Sequence, residues 1–336
     1  MPNIHDVARR AGVAPITVSR VINNNSYVSD KTRQRVETAI NELAYVPNAL
    51  GSSLRSKRTM TLALVLSDIT NPFWTTVARG VEDTAHEYGY HIFIGNTDES
   101  PEKQSDYLTF MLQKQVDGFL LVPASSNVTA SDIFQRQRVP FVVLDRQILG
   151  SNYDSVRSDS QDGAYKLARY LLELGHKRIA VITGRHDNSA ANDRVRGFLQ
   201  AVKESGLDED QQVYWGEFSQ ETGYEFTRVI LQSKPRPTAI FATNNFIAIG
   251  VMRALGDEKL RVPEDMSVVA FDDLPAAITI DPFFTVASQQ AYEMGKKATE
   301  LLIARLADEA PKEPQEIILP VDIIIRRSSS SPLAAP

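Results

Sequence analysis

Acidic, basic and amide side chains recur in this chain at one kind of place, directly after a short apolar run. Ser67 and then Asp68-Ile69-Thr70-Asn71-Pro72-Phe73-Trp74 follow the run Leu62–Leu66, and Asp145-Arg146 follow Phe141–Leu144. Arg194 closes the loop that leaves Ile179–Ile182. Asn244-Asn245 come just after Ala239–Ala242, Asp272-Asp273 after Val268–Phe271, and Gln289 after Thr285–Ser288. Planar carboxylate, guanidinium and amide groups offer paired donors and acceptors, and a hydroxyl is both at once. The aromatic rings of Phe73, Trp74 and Phe218 could cover the C–H faces of a sugar ring. Each residue alone has a structural use: Asn71-Pro72 makes a good turn and Asp272 could cap a helix. Together they point to recognition of a small polyhydroxyl compound.

Other chemistry is poorly supported. No G-x-G-x-x-G follows the first strand and no G-x-x-x-x-G-K-[ST] occurs, so the two common phosphate-cradling loops are missing. The five histidines (5, 86, 91, 176 and 186) lack zinc-ligand spacing, and there is no cysteine. Asp272 and Asp273 are neighbours on a strand end and point apart, which spoils them as an acid/base pair. The expectation is therefore a binding protein, with no catalytic residue, metal or cofactor. A transport receptor would need an apolar leader, which MPNIHDVARR does not supply, and no apolar run reaches the ~18 residues of a membrane span. A cytoplasmic protein without membrane contact is expected.

Strands must carry these residues at their carboxyl ends. Leu62–Leu66, Ile92–Gly95, Gly118–Val122 and Phe141–Leu144 form one series, and Ile179–Ile182, Ala239–Ala242 and Val268–Phe271 form another. Amphipathic stretches such as Trp74–Tyr88, Lys103–Lys114 and Gly163–Leu174 lie between them. Alternating strands and helices imply an α/β fold with parallel sheets. The series repeats over roughly 61–160 and 162–288, giving two doubly wound lobes whose facing strand ends define a cleft. Chain crossovers are expected near 160–162, 289–292 and 320–322. They assign 59–161 with 292–320 to the first lobe and 162–291 with 321–327 to the second. The last residues, 328–336 (SSSSPLAAP), have too few apolar side chains to order and are expected as a disordered tail.

The first 60 residues differ in charge, holding a net of +5 while the remainder holds −11. A basic head on an acidic body suggests a polyanion-binding module. Ile4, Val7, Ala8 and Ala11 follow the i, i+3, i+4, i+7 pattern of a helix, and Gly12 breaks it. Pro15 suits the first position of a second helix that turns Val18, Val21 and Ile22 inward and Ile16, Thr17, Ser19 and Arg20 outward. A third helix starts near Ser29 or Asp30 and places Val36, Ile40 and Leu43 inward. Residues 1–46 thus read as a helix-turn-helix domain, whose second helix would enter the major groove. In residues 47–58, Pro47 and Asn48 mark a short, marginal helix weakened by Gly51, ending in the basic Arg55, Lys57 and Arg58.

The stretch DVARRAGVAPITVSRVINNNSYVSDKTRQRVETAINELAYVPN resembles the head of the lactose-repressor family of bacterial transcription regulators. The resemblance implies that Pro15, Ile16 and Arg20 read bases. Arg20 can bond a guanine edge bidentately, whereas Pro15 and Ile16 can only touch thymine methyls or shape the surface. Asn23, Ser29 and Thr32 are candidate phosphate contacts or helix caps. Residues 47–58 would be a hinge helix that starts at Asn48, folds on the operator, pairs with its twin and wedges Leu54 into the minor groove. Gly51, where the family usually has Ala, makes that folding costlier. The body is similar to the periplasmic ribose-binding protein. The likeness implies an effector site of Asn71, Phe73, Trp74, Asp145, Arg146, Arg194, Phe218, Asn244, Asp272 and Gln289, with Ser67 beside them. Trp74 replaces a Phe of that pocket, and Asn245 replaces the Asp that usually follows the pocket Asn. Asn188 and Ala190 stand where purine-sensing relatives place polar anchors and match poorly. The implied protein is a homodimeric regulator, most simply a repressor, on a palindromic operator and controlled by a ribose-like monosaccharide. A nucleoside or purine effector is the alternative.

Overall fold

The structure, a computed structural model, describes residues 2–23, 27–46, 58–126, 133–134, 136–150, 152–207, 212–274 and 281–332. It divides into two units, Met1–Thr59 and Met60–Pro336. The hinge segment, including Asn48, Gly51 and Leu54, lies outside the described residues.

The first unit holds α1 (Ile4–Ala11), α2 (Pro15–Ile22) and α3 (Asp30–Glu42). Asn3 caps α1 through a reciprocal box with Asp6, and Gly12 ends it at φ 63°, a left-handed conformation that favours glycine. Val7, Ala8, Ala11, Val18, Val21, Val36 and Ala39 are buried against one another. Arg35, whose role the apolar pattern does not reveal, reaches across to the turn and donates from Nη2 to the Ala11 carbonyl at 2.5 Å.

The second unit contains two six-stranded sheets. The first has the order β11-β5-β4-β3-β1-β2, built from β1 (Thr61–Leu66), β2 (His91–Asn96), β3 (Gly118–Leu121), β4 (Phe141–Leu144), β5 (Asp154–Ser158) and β11 (Glu316–Leu319). The second has the order β12-β10-β9-β8-β6-β7, with β6 (Ile179–Thr183), β7 (Gln212–Trp215), β8 (Ala239–Ala242), β9 (Ser267–Phe271), β10 (Thr285–Gln289) and β12 (Val321–Ile324). All pairings are parallel except β10 with β12. Such strands are covered on both faces, which is why β1 reads as the unbroken apolar run TLALVL. Its Leu62, Leu64 and Leu66 pack under α4 (Pro72–Glu87) and α10 (Ala291–Leu306). Its Ala63 and Val65 pack under α5 (Pro101–Gln113). In the second sheet α6 (Ser160–Glu173) and α7 (Ser189–Glu204) cover one face, and α8 (Gln220–Gln232) and α9 (Asn245–Asp257) the other.

The helix pair α4/α10 touches backbone to backbone. A Cβ on Gly80 would lie 2.2 Å from the Tyr292 carbonyl oxygen, and one on Gly295 2.1 Å from that of Val77. Only glycine fits at either crossing point. The chain passes between the sheets after β5, after β10 and between β11 and β12, where Pro320 alone separates the two strands.

Three strands escape the apolar-run reading: β5 (DSVRS), β7 (QVYW) and β11 (EIIL). β7 and β11 lie at sheet edges and are only partly buried, and β5 has one apolar residue, Val156, among polar ones, so none shows the continuous apolar signature. The expected disorder of the C-terminal serines is also corrected for residues 328–332. Ser328 Oγ donates to the Val268 carbonyl at 2.5 Å and accepts from the Thr285 amide at 2.8 Å. Ser329 Oγ meets Thr285 Oγ1 at 2.8 Å, and the Ser330 carbonyl lies 2.9 Å from His176 Nε2. Order here comes from hydroxyls that satisfy backbone and polar groups at the end of the second sheet, a source that an apolar count misses.

Candidate ligand cleft and DNA-reading helix

The carboxyl ends of the two sheets face each other, and loops place polar groups between them. Three of these loops carry acidic residues at positive φ: Asp98 and Glu99 after β2 (49° and 59°), Asp145 after β4 (62°) and Asp272 after β9 (68°). A non-glycine residue in that region is strained by about 1–3 kcal/mol, and such strain gathers at functional sites.

Nine of the eleven residues expected at an effector site line one cleft: Asn71, Phe73, Trp74, Asp145, Arg146, Arg194, Phe218, Asn244 and Asp272. Gln289 stands one layer behind, its Nε2 donating to Asp272 Oδ1 at 2.5 Å. Ser67 is fully buried at the end of β1 and does not line the cleft. Two further lining residues stand outside the expected effector set: Asp68, which the sequence places at the end of the first strand, and Glu99, which it does not single out. The strand-end rule could have found both, since Asp68 follows β1 and Glu99 lies three residues beyond β2.

Helix capping fixes the amides. Asn71 caps α4 by accepting from the Phe73 amide at 3.0 Å, and Asn244 caps α9 by accepting from Ile247 at 2.8 Å. Both guanidiniums are held rigidly. Arg146 donates to both carboxylate oxygens of Glu99, at 2.5 and 2.6 Å, and to the Pro123 carbonyl at 2.8 Å. Arg194 Nη1 donates to the Thr243 carbonyl at 2.6 Å, and its guanidinium sits 4.0 Å from the Phe271 ring centroid. Asp273 turns away from the cleft and pairs with Arg326 at 2.6 Å.

Several buried atoms are left without partners: Nε of Arg146, Nε of Arg194, Oδ1 of Asp145 and Oε1 of Gln289. Orphaned buried donors and acceptors are rare and costly. Burial pushes the carboxyls of Asp145 and Asp272 above the ordinary range, against the opposing charge of Arg194. Burial also works against the charge on Arg146, but Glu99 outweighs it and holds that group above its ordinary value.

The cleft encloses about 50 Å³. That is below the ~300 Å³ at the small end of ligand sites, so a molecule of monosaccharide size needs the lobes to part. Three contacts resist parting: the reciprocal amide pair Asn71–Asn245, the Gln147 amide on Ser189 Oγ at 2.7 Å, and the Ser126 amide on the Asp187 carbonyl at 2.9 Å. A larger hollow of about 510 Å³ opens beside α6 and α7. Its Arg157, Arg196 and Asp162 are each already in an ion pair, with Glu316, Asp193 and Lys166, so it offers no unmatched charge of that set.

In the first unit α2 exposes Ile16, at 53% of its surface, and Arg20, while Pro15, Thr17 and Ser19 are half-buried. Asn23 donates to the Ser19 carbonyl at 2.8 Å. Ser29 sits at the N-cap of α3, but its hydroxyl meets Thr32 Oγ1 at 3.0 Å and makes no cap bond. Arg9 and Arg10 are engaged with Asp6 and Glu42, whereas α2 carries Ile16 and Arg20 exposed together.

Residues 3–48 match the family described as "Bacterial regulatory proteins, lacI family", and residues 168–329 match a "Periplasmic binding protein-like domain". The chain is 36% identical to the HTH-type transcriptional regulator DegA of Bacillus subtilis, over 97% of this chain and 98% of that one. It is 33% identical to the transcriptional repressor PurR of Actinobacillus pleuropneumoniae (98% of each chain) and 35% identical to the ribose operon repressor of Escherichia coli (98% and 100%). Among solved structures, the lac repressor dimer bound to operator and the anti-inducer ONPF aligns with a TM-score of 0.86 at 26% identity, covering 98% of this chain and 99% of that one. A lacI-family regulator from Enterococcus faecium with bound ribose aligns at 0.72 with 30% identity, covering 81% and 99%.

Proposed function

The chain belongs to the lacI family of bacterial regulatory proteins, and we propose that it is a homodimeric repressor whose operator affinity is set by a small neutral sugar held between its two lobes. The observation that carries the effector reading is the set of unpartnered buried groups in and directly behind one cleft: Nε of Arg146, Nε of Arg194 and Oδ1 of Asp145 in its lining, and Oε1 of Gln289 behind Asp272. Single, separated donors and acceptors suit hydroxyl and ring oxygens. The likeness to a ribose operon repressor and to a ribose-bound regulator favours a pentose. A purine is the second reading, because a relative is a PurR repressor. It is weakened at Asn188, whose side-chain oxygen is spent capping α7 on the amides of Ala190 and Ala191. Ala190 itself has no polar group.

On the DNA side, Arg20 and Ile16 of α2 are the proposed base readers, and the basic charge of the first 60 residues supplies phosphate attraction. One helix-turn-helix covers half a palindrome, so two copies act together. The exposed apolar side chains Tyr88, Phe93, Ile94 and Phe110 cluster around β2, the unpaired edge of the first sheet, and are the proposed dimer face.

A thermal-shift screen of neutral monosaccharides and purines against the full chain, repeated as operator titrations, tests this reading. A pentose should raise the melting temperature and change operator affinity. A purine doing so while every sugar fails would overturn it.

A further inference from the structure

We propose that Glu99 makes the cleft selective for uncharged ligands and against their phosphate esters, by closing the fork of Arg146. This rests on the reading of the cleft as a sugar site and names the ionic class of the sugar.

Arginine recognises phosphate with its planar fork, two parallel N–H donors presented together. In this cleft the Arg146 fork is taken. Both terminal nitrogens bond the Glu99 carboxylate, at 2.5 and 2.6 Å, and one also bonds the Pro123 carbonyl. Arg146 is 3% exposed and Glu99 23%, so the pair lies largely out of water. The second arginine differs: Arg194 spends Nη1 on the Thr243 carbonyl and lies over Phe271, with no carboxylate paired across its fork. Each also keeps a buried, unpartnered Nε–H, a single donor that suits a hydroxyl.

Charge acts in the same direction. The lining holds four carboxylates (Asp68, Glu99, Asp145 and Asp272) and two guanidiniums (Arg146 and Arg194). The first turns of α4 and α9 add about half a positive charge each, so the lining has no positive excess as long as three of its carboxylates stay ionised. A phosphate entering such a site meets carboxylates with no positive excess to offset its charge. Glu99 also shares the backbone cost noted for the cleft loops. It and Asp98 occupy successive left-handed conformations, and the second of them aims its carboxylate at Arg146. Rejection by an unmatched charge is a device of specificity as effective as an added contact.

The test is calorimetric titration of the full-length dimer with D-ribose, D-ribose 5-phosphate and inorganic phosphate, for the wild type, Glu99→Gln and Glu99→Ala. Glu99→Gln keeps the size and removes the charge, which separates charge from space, and Glu99→Ala removes both. The wild type should favour D-ribose over its phosphate ester by at least ~100-fold, and both variants should narrow that ratio by about tenfold or more, with measurable binding of inorganic phosphate gained. A wild type that binds the ester within a few-fold of the sugar overturns the proposal. So does a folded Glu99→Gln with the wild-type ratio and no gain of phosphate binding. If D-ribose binds nowhere, the sugar reading fails on its own. The phosphate arm still decides on Glu99: a gain in the variants supports it and no gain refutes it.

Discussion

The side-chain amides of Asn71 and Asn245 bond each other in both directions across the two lobes, each at 3.0 Å. Asn71 also accepts from the Phe73 amide, so one buried residue caps a helix, lines the cleft and ties the lobes together. An aspartate at 245 could accept from Asn71 but not donate back. The pair therefore belongs to this sequence, in which Asn stands at that position. A net hydrogen bond contributes about 0.5–1.5 kcal/mol, so losing both shifts the closed-to-open ratio roughly 5- to 150-fold. Asn245→Ala should leave the ligand-free protein more open by small-angle scattering and speed effector association in stopped flow. An unchanged radius of gyration would show that the other lobe contacts suffice.

Arg194→Ala removes a buried guanidinium that bonds Thr243 and faces Asp272 at 3.9 Å. It should abolish the effector response and leave operator binding in the absence of effector within about twofold, because it lies in the other structural unit from α2. Effector titration followed by DNA binding decides this, and a normal response would remove Arg194 from the site.

Arg20 is exposed and lies in the last turn of α2. Arg20→Ala should weaken the specific operator by about 1–3 kcal/mol and relax the preference at one base pair. Equal losses on specific and random DNA would instead mark it as a phosphate contact.

His176 is buried between Thr238 and the Ser330 carbonyl, and burial holds it below its ordinary value of 6.5. The unfolded chain takes up the proton more readily, so the stability it gives is present above about pH 6.5 and is lost as pH falls through the lower folded value. Asp145 and Asp272, raised by burial, act oppositely and favour the folded state at low pH. The difference between wild type and His176→Gln isolates the histidine. The variant should be less stable at neutral pH by about 1–3 kcal/mol and should lose less between about pH 7 and 5. Parallel melting curves over that range would exclude the effect.

Phe93 is 47% exposed on the edge strand β2. If this face is the dimer contact, Phe93→Asp should cost at least about 2 kcal/mol of association and lower operator affinity with it. Sedimentation at micromolar protein reads this directly, and an intact dimer would place the interface elsewhere.

Much of the fold could be read from periodicity because both sheets are covered on both faces, so strands such as TLALVL announce themselves. Edge strands such as β7 and β11 obey weaker rules and were missed, and so was the polar β5. The cleft was legible because its residues sit at strand ends. Glu99 escaped because its role depends on a left-handed loop and on a partner 47 residues away, and neither leaves a local pattern. Asn245 could be noticed as unusual, but its bond to Asn71, 174 residues distant, required the fold. The serine tail was misread because hydroxyls aligned on a sheet end look, in sequence, like a linker.

The last strands of the two sheets, β11 and β12, are separated only by Pro320. Neither lobe has all its strands until the ribosome has delivered the final stretch of the chain, whereas α1–α3 are finished within the first 42 residues. Domains tend to fold as they emerge, N-terminal first. During synthesis the helix-turn-helix head is therefore complete well before the two-lobed unit. A chain that stalls before residue 316 would lack the closing strand of both lobes. It would be a reader without a regulator, and quality control has a reason to destroy it.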